Sequence, residues 1–90
     1  MCVRFPIGQT VSTPGALEVL TVAGVSPFTL LIRHQSGDWG DVPPEDAKEN
    51  ELSVNEGFRI LSSYTIGDER LWVITEADRS VTTILRPDEY

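Results

Sequence analysis

His34, Arg59 and Ser63 are the residues of this chain whose types could combine into a reaction. An imidazole can exchange a proton near neutral pH, a guanidinium can hold a phosphate, and a strand hydroxyl can orient it. Together they would suit phosphodiester cleavage. His34 is the sole histidine, which excludes a metal site built on several histidines. It falls in the last turn of an expected helix, close to Asp38, so an imidazole bonded to backbone or to Asp38 is the competing structural reading. Arg59, Ser63 and Thr65 alternate on one face of an expected strand. If helices cover the opposite face, these three point outward, joined by Thr75, Thr82 or Arg86. A solvated sheet face, or one buried in a dimer, competes with a catalytic cluster there.

Asp38 and Trp39 form a second candidate group, within Gly37-Asp38-Trp39-Gly40-Asp41. The indole could offer a stacking platform for a ligand, although a core plug anchoring the loop is the simpler role. Glu76, Asp78 and Arg79 flank a tight turn, where a small anion or partner contact competes with a plain turn ion pair. No phosphate-binding loop, dinucleotide glycine pattern, Ser–His–Asp spacing or Cys–His cluster occurs, so no metal or cofactor is expected. Cys2 is the single cysteine, which rules out an intrachain disulfide and suits a reducing compartment.

The elements that must position these residues are legible in the pattern. Thr13-Pro14 opens a first helix, with Ala16, Leu17, Leu20 and Ala23 at helical spacing and Gly24 as its stop. Ser26-Pro27 opens a second, stopped by Gly37, so the two form an angled hairpin. This superficially resembles helix-turn-helix, but the second helix offers only Arg33 and His34 to a groove. Pro43-Pro44-Glu45-Asp46 starts a third helix that Gly57 ends. The period then changes to two. Strands are expected over residues 58–65, 71–75 and 81–85, with turns at 67–69 and 77–80. The segment Val3 to Val11 reads as an irregular or edge strand, weakened by Pro6 and Gly8. The expected fold is one α+β domain over residues 1–90: an N-terminal irregular strand and three short helices, followed by a three-stranded antiparallel β-meander.

Charge limits the partners. The 90 residues carry a net charge of −7, from 14 acids against 7 bases. Seven of the acids lie between residues 38 and 56, where Lys48 is the only base. Such a surface repels phosphate backbones, so non-specific nucleic-acid binding is not expected. A solvated acidic helix that aids solubility is the simpler reading, and a surface that meets a basic protein partner or imitates nucleic acid is the sharper one. The longest apolar runs, such as Leu30-Leu31-Ile32, are far short of a membrane span. Residues 1–6 lack the apolar stretch of a secretory signal, so a cytoplasmic setting is expected.

Several stretches resemble a known group. They are Phe5-Pro6-Ile7-Gly8-Gln9, Thr13-Pro14-Gly15-Ala16-Leu17, residues 33–41, Glu49-Asn50-Glu51-Leu52, residues 57–64 and residues 71–85. In these the chain resembles small bacterial proteins labelled "plasmid-related protein", which travel on plasmids, genomic islands and integron gene cassettes. The resemblance spans nearly the whole chain and is least in the loop Ile66 to Arg70. It implies an accessory protein of a mobile element and brings no reaction with it. A fold-level likeness to barnase/EndoU/RelE-like nucleases, which also place helices before an antiparallel meander, implies the alternative of a small ribonuclease using His34 and Arg59. A non-enzymatic interaction or regulatory module with an acidic surface is the preferred expectation. A homodimer is expected too, because Leu71 to Thr75 is apolar on both faces and needs cover on the second.

Overall fold

The computed structural model describes residues 3–90, and Cys2 lies outside them. Chain order is β1 (Gln9–Ser12), α1 (Pro14–Ala23), α2 (Pro27–Gln35), α3 (Pro44–Glu56), β2 (Ile60–Ile66), β3 (Glu69–Thr75) and β4 (Val81–Leu85), then a short 3-10 turn at Pro87–Glu89. The three expected helices are present, and so is the antiparallel meander of β2, β3 and β4.

The sheet differs from the expected one mainly at the N-terminus, while β2 and β3 run over Ile60–Ile66 and Glu69–Thr75 where 58–65 and 71–75 are expected. It has four strands in the order β1-β4-β3-β2, because β1 pairs parallel with β4, Gln9 opposite Val81 and Ser12 opposite Ile84. The N-terminal segment is therefore an ordered member of a mixed sheet. Pro6 and Gly8 fall before the paired residues and do not interrupt them. This pairing joins residues about seventy positions apart, and turn signals inform only on neighbours in the chain.

Local chemistry sets the helix limits. The Thr13 hydroxyl accepts the Ala16 N–H at 3.2 Å and Pro14 fills the first helical position, so α1 starts where the free amides are best satisfied. Gly24 then turns left-handed at φ 69° and its N–H returns to Leu20 and Thr21 carbonyls. Ser26 caps α2 through Phe28 N–H. That helix ends at Gln35 with Ser36 as its cap, short of the expected stop at Gly37. The axes of α1 and α2 meet at 104°.

α1 and α2 cover one face of the sheet. Ala16, Val19, Leu20, Leu30 and Leu31 pack with Tyr64, Leu71, Val73 and Ile84. A second cluster of Phe5, Trp39 and Ile60 gathers Val42, Ala47 and Val54 under α3. The opposite, open face is not bare. Ile74 and Leu85 there are 2% and 5% exposed. Tyr90, just after the 3-10 turn, packs edge-on against Trp72 with ring centroids 5.8 Å apart. The chain thus covers part of the second face of β3 itself.

Candidate functional site

His34 lies between the two clusters and is fully buried. Phe5 meets its ring edge-on at 5.2 Å and Trp39 at 6.0 Å. Its Nδ1 is 2.6 Å from Ser62 Oγ and its Nε2 is 2.9 Å from Thr75 Oγ1. Thr75 Oγ1 is in turn 2.7 Å from Thr82 Oγ1, and the Thr82 hydroxyl donates to the Ile7 carbonyl at 2.8 Å. That carbonyl can only accept, so it sets the direction of the row. Thr82 gives its proton to Ile7, Thr75 gives its own to Thr82, and Nε2–H donates to Thr75. Nδ1 is left as the acceptor of the Ser62 proton. Every contact then holds one proton, and the imidazole is neutral. Burial, and then the charge of Arg79, push its pKa down to about 3.

The partners of His34 are therefore not those expected. Asp38 instead accepts from Arg33 at 2.7 Å and from Gly40 N–H at 3.2 Å, and the Arg33 bond holds its carboxyl below the usual range. Thr75 and Thr82 belong to the helix-covered face, with Ser62, and not to the face of Ser63. Strand parity explains this. In the observed register Ser62 lies opposite Val73, so Ser62, Thr75 and Thr82 share the face of Tyr64 and Leu71.

Arg59 lies elsewhere. Its guanidinium donates to the Tyr90 hydroxyl and stands over that ring at 5.5 Å. Tyr90 packs on Trp72 of the open face, so the sheet separates Arg59 from His34. Ser63 is buried at 4% exposure and its hydroxyl has no partner among the described residues. The structure brings none of His34, Arg59 and Ser63 into one cleft.

Trp39 is 6% exposed and stacks on Phe5 at 6.1 Å. Its Nε1–H donates to Glu51 at 3.0 Å, and Arg4 grips the same carboxylate with two bonds of 2.9 and 2.7 Å. The Arg4 bond in particular lowers the Glu51 pKa. With its faces occupied, the indole offers no open platform for a ligand.

Arg79 does not pair with Glu76 or Asp78. It adopts φ 61°, and its guanidinium donates to the carbonyls of Phe58, Glu76, Ala77 and Ser53. It thereby ties the β3–β4 turn to the last turn of α3. Asp78 accepts from the N–H and hydroxyl of Ser80, which hold its carboxyl below the usual range.

Sequence reasoning missed Asn50. This α3 side chain is 5% exposed, donates to the Leu61 carbonyl at 2.7 Å and accepts the Leu61 N–H at 3.2 Å. Ser63, two residues on, bonds backbone to backbone with Trp39 and Asp41. Together they close the outer edge of β2. α3 carries two asparagines, Asn50 and Asn55, and nothing in their spacing distinguishes the buried one from the exposed one. Among the described residues no group of three His, Cys, Asp or Glu side chains could hold a metal ion.

The exposed side of α3 is different in kind. Glu45, Glu49, Leu52 and Glu56 recur at spacings of four, three and four, so they form one stripe about 16 Å long at the helical rise. Leu52 is 49% exposed. None of these three carboxylates has an ion-pair partner among the described residues. No protein family, curated protein or solved structure matches the chain.

Proposed function

We propose that this protein is a non-enzymatic interaction module that docks a basic, amphipathic segment of a partner protein on α3. The observation that carries this reading is the stripe Glu45, Glu49, Leu52 and Glu56, exposed and without ion pairs among the described residues. Carboxylates flanking an apolar side chain complement a helix or strand that alternates Lys or Arg with a small apolar residue. The sealed, neutral His34 supports binding over catalysis, since neither ring nitrogen is free for a substrate. The resemblance to plasmid-related proteins favours a role in service of a mobile element, and the single cysteine suits a reducing cytoplasm.

Affinity capture on the immobilised chain tests the reading, with synthetic basic amphipathic peptides as the probe. Binding should weaken with salt and be lost on combined Glu45→Lys and Glu49→Lys substitution in a chain that keeps its circular dichroism. Equal binding by the charge-reversed variant would overturn it. Cleavage of RNA by the wild-type chain, abolished by Arg59→Ala, would support the ribonuclease reading instead.

A further inference from the structure

The two edges of the sheet are treated differently. On β2, Asn50 occupies the outward backbone groups of Leu61, and residues 39 and 41 occupy those of Ser63. On β1 nothing comparable occurs among the described residues. Gln9 N–H bonds Ser80 and Thr13 N–H bonds Ile84, and these two bonds set the phase of the parallel ladder. Gln9, Val11 and Thr13 turn their backbone groups toward β4. Thr10 and Ser12 turn theirs outward, and no protein group meets them among the described residues. Gln9, Thr10 and Val11 are all exposed.

We infer that β1 pairs antiparallel with β1 of a second copy of this chain, Thr10 opposite Ser12 across a two-fold axis. Charge selects this occupant. Each copy carries −7, so most approaches of two copies oppose like charges. No ionisable side chain lies between Arg4 and Glu18, so residues 9–12 carry no charge of their own, and the Glu89 carboxylate reaches the chain only at Thr13 and Gly15, past the strand. Natural edges are usually blunted by a charge or a proline, and residues 9–12 contain neither. A neutral edge offers nothing to select a basic partner, whereas it removes the penalty for self-pairing. The register follows from the phase. Thr10 and Ser12 of each copy exchange backbone bonds as two hydrogen-bonded pairs. Val11, 40% exposed, then meets its own copy as the close non-hydrogen-bonded pair on the open face. The result is one continuous eight-stranded sheet. This goes beyond the docking of a basic segment, because it uses the opposite edge of the sheet from α3.

Sedimentation of the full chain over a concentration series tests it. The wild type should approach twice 10.0 kDa at high concentration. Thr10→Pro removes an N–H that β4 does not use, at a position where an edge strand tolerates proline. Val11→Lys sets two like charges on the axis. Both should sediment at the monomer mass while keeping their circular dichroism. Val11→Cys, placed in a Cys2→Ser chain, should form a disulfide-linked dimer on mild oxidation, since the close pair brings the two Cα atoms into bonding range. A wild type that stays at 10.0 kDa throughout would overturn the inference. So would a dimer that survives Val11→Lys. Val11 is surface-exposed, so that variant decides the matter even where Thr10→Pro weakens the fold.

Discussion

Asn50 holds Leu61 as a second strand would hold it, with one bond to its carbonyl and one from its N–H. A side-chain amide carries the same donor and acceptor as a peptide unit, so it can complete a ladder where no strand is available.

Asn50→Ala leaves both Leu61 groups without their partner. It should destabilise the protein by about 1–3 kcal/mol, the usual cost of orphaned buried backbone groups. Urea unfolding followed by tryptophan fluorescence measures this. The variant should also become more prone to aggregate, because β2 then presents an open edge. Unchanged stability would mean that water replaces the amide without loss.

His34 makes stability depend on pH. Its pKa is about 3 in the folded chain against 6.5 for the free side chain. Between those values the unfolded chain binds a proton that the folded chain refuses, so stability falls as pH falls. The loss begins near pH 6.5 and should reach about 2–3 kcal/mol at pH 4.5, at 1.36 kcal/mol per unit. Asp38 and Glu51, whose pKa values are lowered by their arginine partners, add losses only in the more acid carboxylate range. Denaturation midpoints between pH 7 and pH 4.5 should therefore decline in the wild type and stay nearly level in His34→Gln.

Trp39 ties the loop before α3 to the core through Phe5, His34 and Glu51. Trp39→Ala should cost roughly 3–5 kcal/mol, in line with other large-to-small changes in cores. Trp39→Phe keeps an aromatic ring and loses the bond to Glu51, so about 1 kcal/mol is expected. Thermal melts of the two variants separate packing from hydrogen bonding, and near-equal losses would assign the anchor to the N–H.

Gly40 and Gly24 are both left-handed, at φ 74° and 69°, but only one is crowded. A Cβ on Gly40 would lie 1.9 Å from the Ser63 carbonyl oxygen, whereas one on Gly24 meets nothing within 4 Å. Gly24→Ala should cost about 1–2 kcal/mol from backbone conformation alone. Gly40→Ala must in addition push the loop off β2, so its loss of melting temperature should be clearly the larger. Equal losses would show that the loop moves freely.

Much of the architecture was readable because it is local. Thr13-Pro14, Ser26-Pro27, Gly24 and Gly57 punctuate helices through bonds spanning only a few residues. The change of period after Gly57 announced β2, and Gly67-Asp68 announced the hairpin to β3. The exposed acids of α3 followed equally from their spacing and from the helix dipole that favours Glu45 and Asp46 in its first turn.

The candidate site was not readable in this way. Composition identified His34 as the one imidazole and Trp39 as a plug, but their partners depend on strand register. One residue of slip exchanges the two faces of a strand, and sequence spacing does not say which face the helices cover. Tertiary packing placed Ser62, Thr75 and Thr82 inward around His34 and left Arg59 to Tyr90 on the far side. It also paired β1 with β4, closed one edge with Asn50 and left the other open. Local propensity and charge belong to the sequence alone. Pairing between distant residues is decided when the whole core closes, because only then does each buried polar group find or lose its partner.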